Sequence, residues 1–168
     1  RLPAMGVSIP IPDEALARFS VLRQSADEAC ARTLEALVRD GGDRALNRVN
    51  VLDFARLHGL DEEKAIGAFL HASRLGIFDL SWNLLCPGCG GVLEANATLR
   101  TVRQTEYHCA LCAAGYEPTL DEMVEVSFPV NPRVRRIAAH DPHSLSMWDY
   151  QKQVFWSSGI DLPEERFD

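Results

Sequence analysis

Two C-x-x-C pairs, Cys86-Pro87-Gly88-Cys89 and Cys109-Ala110-Leu111-Cys112, are the residues of this sequence best suited to chemistry. Nineteen residues lie between Cys89 and Cys109, a spacing that suits a zinc ribbon better than a secreted disulfide framework. Pro87 and Gly88 turn the chain tightly, and Gly90 permits positive φ just past Cys89. The first pair therefore reads as a knuckle whose backbone N–H groups can point at the sulfurs. Cys112 is followed by Ala113, Ala114 and Gly115, a looser version of the same turn. Four thiolates around one Zn²⁺ fill a tetrahedron and leave no position for water or substrate, so such a site is structural. It contributes folding energy, because ligands this far apart meet only in the folded chain.

Three other readings compete for these cysteines. A redox-active C-x-x-C sits at a helix N-terminus that lowers a thiol pKa, whereas the first pair here runs into Gly90-Gly91, a poor helix start. An iron–sulfur cluster also uses four cysteines, but the knuckle turn favours zinc. His108, beside Cys109, could replace a ligand; a strand residue facing solvent is the simpler reading. Other chemistry finds no support. His58, His71, His140 and His143 are scattered, with no H-x-x-x-H or H-E-x-x-H spacing among them. There is no Gly-rich phosphate loop and no G-x-S-x-G elbow. Cys30 reads as a small buried apolar residue, and Asp61, Glu62 and Glu63 as helix-start charges. No enzyme site is expected in this chain.

The elements that must position the cysteines follow from periodicity and punctuation. Three prolines and a glycine keep residues 1–12 extended. Asp13 and Glu14 then suit a helix N-terminus, and Leu16, Phe19, Val21, Leu22, Cys30, Leu34 and Leu37 recur at helical spacing. That spacing predicts one long helix, or two broken near Ser25, closed by Asp40-Gly41-Gly42-Asp43. Leu52, Phe54, Ala55 and Leu57 form a stripe ending at Gly59. Asp61 is an N-cap for a helix lined by Ala65, Ile66, Phe69, Leu70, Ala72 and Leu75 and closed by Gly76. Helix, short turn and helix make a helix-turn-helix pattern. The next stretch alternates Phe78, Leu80, Trp82 and Leu84, a strand in the place of a wing that leads into Cys86. Thr98–Val102 and Thr105–Cys109 are expected to pair as the ribbon's strands. Val124, Val126 and Phe128 alternate with Glu125 and Ser127, a half-buried strand with its polar side opposite. From Ser144 an amphipathic helix is expected, carrying Leu145, Trp148, Phe155 and Trp156, before an acidic, loose tail. Trp148, Phe155 and Trp156 are candidates either for core or for contact with another domain or subunit.

The 168 residues suffice for one domain or two small ones, with 46% hydrophobic and 24% charged residues. Net charge is −7, and an acidic chain repels phosphate backbones unless its basic residues gather on one face. The only tight basic cluster is Arg133, Arg135 and Arg136, and the second helix of the helix-turn-helix offers Glu62, Glu63, Lys64 and Arg74 without basic surplus. Nucleic acid is not favoured as a partner. No apolar run reaches the roughly 20 residues of a membrane span, and the first residues lack a signal-peptide pattern. Metal thiolates with a spare thiol suit a reducing compartment, so a cytoplasmic location is expected. The sequence opens on an Arg and stops at Arg166-Phe167-Asp168, as expected of a piece of a longer protein.

The run ARLHGLDEEKAIGAFLHASRLGIFDLSWNLLCPGCGG resembles a domain of unknown function found in bacterial class III adenylate/guanylate cyclases, on the N-terminal side of the catalytic domain. The residues that carry the resemblance are Leu75-Gly76, Asp79-Leu80-Ser81-Trp82, Cys86-Pro87-Gly88-Cys89, Cys109–Cys112, Val124–Phe128 and the later stretch QKQVFWSSGIDLPEE. It covers about residues 48–168. The resemblance implies a regulatory or architectural module of a cyclase, with the C-terminal cyclase domain of the same protein and a second subunit as its partners. Class III catalysis requires metal-binding aspartates in a separate α/β domain, and no such motif is present here.

Taken together, an α+β chain is expected. Residues 1–45 form an N-terminal helical segment that could close a preceding domain, and residues 46–84 a winged-helix-like unit with its strand. Residues 85–118 form the zinc ribbon, and residues 119–168 a strand, an aromatic-rich helix and an acidic tail. A non-catalytic zinc-binding module of a cyclase is the expected function. A winged-helix plus zinc-ribbon module that binds nucleic acid is the alternative.

Overall fold

The computed structural model describes residues 10–97, 106–117 and 123–155. The chain is α+β: helices come first, then small antiparallel sheets around a cysteine cluster. Helices α1 (Asp13–Ser25) and α2 (Glu28–Asp40) are separate. The break comes where Ala26 turns extended and the Asp27 carboxylate accepts the Cys30 N–H at 3.2 Å, capping α2. A short α3 (Asp43–Asn47) follows the two glycines. Asn50 caps α4 (Val51–His58) by accepting from Leu52 and Asp53, and Gly59 ends it at φ 63°. Asp61 caps α5 (Glu62–Arg74) by accepting from Lys64. Gly76 then turns the chain at φ 69°, and its carbonyl accepts from Arg18 at 3.0 Å.

Helices α1, α2, α4 and α5 share one core, which also takes in Leu46, Ile77, Phe78, Phe128, Val130, Val134 and Ile137. Phe69 is its centre: Phe54, Phe78 and Phe128 stand around it with ring centroids 5.1, 5.4 and 5.0 Å away. The buried faces are narrower than the expected stripes. In α4 the inward residues are Val51, Phe54 and Ala55, while Leu52 and Leu57 are exposed. In α5 they are Ala65, Ala68, Phe69 and Ala72, while Ile66 and Leu70 face outward. A hundred degrees per residue separates these sets, and the small side chains of Ala65, Ala68 and Ala72 let α5 approach its neighbours closely.

Strand β1 (Ser81–Leu85) is the centre of a three-stranded antiparallel sheet, between β2 (Val92–Asn96) and β5 (Val124–Ser127). It starts later than the expected strand; Ile77 and Phe78 are core residues, and Phe78 forms an isolated bridge with Val130. Strands β3 (Tyr107–Cys109) and β4 (Ala114–Tyr116) form a two-stranded hairpin, with Tyr107 opposite Tyr116. The expected pairing of Thr98–Val102 with Thr105–Cys109 falls largely on residues outside those described; the partner of Tyr107–Cys109 is Ala114–Tyr116. The expected C-terminal helix begins at Met147 rather than Ser144, because Pro142–Ser144 forms a 3₁₀ turn and Ser146 is the cap. This α6 (Met147–Tyr150) passes into a π-type turn over Gln151–Phe155. The acidic tail lies outside the described residues.

The polar side of β5 is largely covered: Ser127 is buried and Glu125 half-buried. Glu125 and Ser127 sit directly across from Asn83 and Ser81 of β1. The Asn83 amide donates to Ser127 Oγ at 2.6 Å and to Glu125 at 3.3 Å, and Ser81 donates to Asn83 at 2.8 Å. Arg48, buried, pairs with Glu125, and Asn50 donates to the same carboxylate at 3.4 Å while capping α4. A charge taken out of water this way needs a partner, and the network supplies it while tying the sheet to the start of α4. Arg135, read from sequence as part of a basic patch, is likewise buried; it donates to the Val38 carbonyl at 2.7 Å at the end of α2 and faces Asp43.

Candidate metal centre

Leu85, the last residue of β1, is followed directly by Cys86, so the central strand delivers the first ligand. The knuckle closes on itself: Gly90 N donates to Cys86 O at 2.8 Å and Cys86 N to Gly91 O at 2.8 Å, with Gly90 at φ 71°. The second knuckle joins β3 to β4. There Ala113 holds φ 50°, the same left-handed position relative to Cys112 that Gly90 holds relative to Cys89. The looser turn expected from Ala-Ala-Gly is thus a close copy of the first, built at the cost of an alanine in a glycine conformation.

The two knuckles face each other. One sulfur from each of Cys86, Cys89, Cys109 and Cys112 lies within 4.8 Å of all the others. Cys86 and Cys112 are 3.8 Å apart, as are Cys89 and Cys109. Cys86 and Cys109 are buried, Cys89 is half-buried and Cys112 is exposed. Backbone amides point at the sulfurs as the turn geometry suggests: those of Cys89 and Gly88 at Cys86, that of Gly91 at Cys89, and that of Cys112 at Cys109 at 3.5 Å. Burial pushes the Cys86 thiol up, but these amides and the Cys109 and Cys89 thiols outweigh it and bring it down to about 7. At Cys89 burial prevails over the Gly91 amide and, with the neighbouring sulfurs, raises the thiol to about 12. Four such sulfurs could hold one metal ion, and an all-sulfur donor set suits a soft or borderline cation.

Beneath the sulfurs lies a second, small core of Leu84, Tyr107 and Met123, with Leu93, Tyr116 and Val124 packed on it. Tyr107 donates to Glu94 of β2 at 2.6 Å, fastening the hairpin to the sheet. The Tyr116 hydroxyl lies against the Cys86 and Cys112 sulfurs. Bonding to Cys86, then burial, raises it to about 12. A Cβ on Gly88 would meet that hydroxyl at 2.8 Å and Cys112 Sγ at 3.2 Å, so glycine here makes room for the cluster. Sequence reasoning missed Tyr116; its signal was a tyrosine on each side of the second knuckle, at positions 107 and 116, where a hairpin places them opposite each other.

No other candidate among the described residues joins the sulfur cluster. His108 is exposed on β3, 3.8 Å from Glu106, and is not among the clustered ligands. Trp148 is exposed on α6, with the Lys152 ammonium 5.7 Å from its ring centroid. Phe155 ends the π-type turn; its side chain, and all of Trp156, lie outside what the structure describes. Cys30 is buried in the helical core, and burial followed by the Asp27 carboxylate raises its thiol to about 11, as suits an inert residue. No helix among the described residues is long and apolar enough to cross a membrane.

Neither a curated protein nor a solved structure matches this chain. A family model does, over residues 12–168, a span that takes in the described helices and sheets and all four clustered cysteines. The chain thus belongs to DUF5939, a family of unknown function.

Proposed function

We propose that this chain is a non-catalytic module whose ribbon is held by one structural Zn²⁺, and that it acts by positioning neighbouring domains or subunits. The observation that carries this reading is the convergence of four cysteine sulfurs within 4.8 Å of one another. A tetrahedral ion bound by all four has no open position for substrate. The knuckle amides aimed at the sulfurs support zinc, since they offset negative charge on a tetrathiolate. Elemental analysis of protein purified without added metal should find about one zinc per chain. Cys86→Ser should lose that metal and destabilise the ribbon, whereas Cys30→Ser should leave the metal content unchanged. A Cys86→Ser protein that kept both metal and stability would sink the four-cysteine assignment.

The partner in this reading is a class III nucleotide cyclase domain, on the strength of the sequence resemblance. Exposed apolar side chains on α6, Met147 and Trp148, are candidate contacts. In a protein carrying this module beside such a cyclase domain, deleting the module should change the rate of cyclic nucleotide formation. Unchanged rate together with unchanged dimerisation would remove the regulatory role. Nucleic-acid binding has weaker support: Arg135 is spent inside the fold, and α5 exposes Glu62 and Glu63 beside Lys64 and Arg74.

A further inference from the structure

The four sulfurs are unequally guarded. Cys86 and Cys109 are buried, but Cys112 is exposed, and so are Ala110, Leu111 and Ala113 around it. The Cys86 sulfur lies 3.8 Å from that of Cys112, within reach of a short movement. The hairpin that carries Cys109 and Cys112 has only three residues in each strand. None of its residues belongs to the main helical core.

We propose that Cys112 is a modification site, the point at which hydrogen peroxide attacks the metal-loaded cluster and releases its zinc; this rests on the zinc reading above. The Cys112 thiolate attacks one peroxide oxygen. The O–O bond breaks, hydroxide leaves, and Cys112 becomes a sulfenic acid. The Cys86 thiolate then attacks the Cys112 sulfur and expels a second hydroxide, forming a Cys86–Cys112 disulfide. Two thiolates lose two electrons in all, and one peroxide is reduced to two hydroxides. Zinc, left with Cys89 and Cys109, dissociates. The hairpin loosens, while the helical core, which shares no residue with the cluster, stays folded.

The test begins with the zinc-loaded 168-residue chain. Its metal content is measured first, and a chain without zinc removes the metal reading and this proposal together. Loaded protein is then exposed to graded hydrogen peroxide. Zinc release is followed with a chromogenic chelator, disulfides by peptide mass spectrometry, and helicity by circular dichroism. The expected result is zinc release together with a first disulfide joining Cys86 to Cys112, with helicity retained and reversal by reductant plus zinc. Zinc kept under peroxide, or a first disulfide without Cys112, overturns the proposal and leaves the zinc reading intact. Cys112→His keeps a ligand but removes the exposed sulfur. Where it binds zinc, release should be at least about tenfold slower, and release at the wild-type rate overturns the proposal.

Discussion

At Ala113 the second knuckle holds a left-handed backbone without a glycine. That conformation costs an L-residue about 1–2 kcal/mol, so Ala113→Gly should raise the melting temperature of the metal-loaded chain. Tyr116 makes the opposite case. Its hydroxyl borders the space at Gly88 together with the Cys86 and Cys112 sulfurs, and loss of an outer group beside the ligands weakens metal binding by about 10–100-fold. Tyr116→Phe should therefore show that loss in a chelator competition while its far-ultraviolet spectrum is unchanged. The convergence of the four cysteines was legible from spacing, because a knuckle is a local motif with a fixed set of turn residues. Tyr116 was not, because its role depends on the cross-strand register of a hairpin.

Between helices α2 and α5, Asp27 and Lys64 are linked at 3.2 Å. The Cys30 backbone N–H, and after it Lys64, lower the Asp27 carboxyl, and Asp27 in turn raises Lys64. A lowered carboxyl stabilises the fold above its unfolded value, about 3.9, and loses that contribution as pH falls through the folded value. A raised lysine contributes below about 10.4 and loses it as pH rises through its folded value. Lys64→Met should flatten the alkaline edge of a stability–pH profile and shift the acid edge upward. The joint between sheet and helices is a stronger one. Removing buried Arg48 leaves the half-buried Glu125 carboxylate with only the Asn50 and Asn83 amides, so Arg48→Met should cost up to about 3 kcal/mol in chemical unfolding. This joint was invisible in the sequence. Alternation in residues 124–128 correctly marked two faces, but an alternating strand looks the same whether its polar side meets water or a buried arginine. Helix caps were read well, since Asp61 and Gly59 act on their immediate neighbours; the exposure of Leu52 and Leu57 was not, since an eight-residue helix needs only one contact face.

At the scale of the whole molecule, the described residues form two apolar centres, a large one around Phe69 and a small one of Leu84, Tyr107 and Met123. Stripping the metal with a chelator should therefore raise amide exchange across residues 107–116 far more than across α2 and α5, as followed by hydrogen-exchange mass spectrometry. Equal deprotection of both would mean that the ribbon and the helices unfold as a single unit. The succession of helices, then strands around a cysteine cluster, was apparent from periodicity and spacing. That α1 and α2 share a core with Phe128 and Ile137 was not, because no local pattern records which distant faces meet. The central position of β1 has a mechanical consequence. A pull applied at Cys86 is resisted by two rows of hydrogen bonds, one on each edge of the strand. A pull at Cys109 meets a ladder of only three residue pairs. Under tension the β3–β4 hairpin should therefore part before the β2–β1–β5 sheet does.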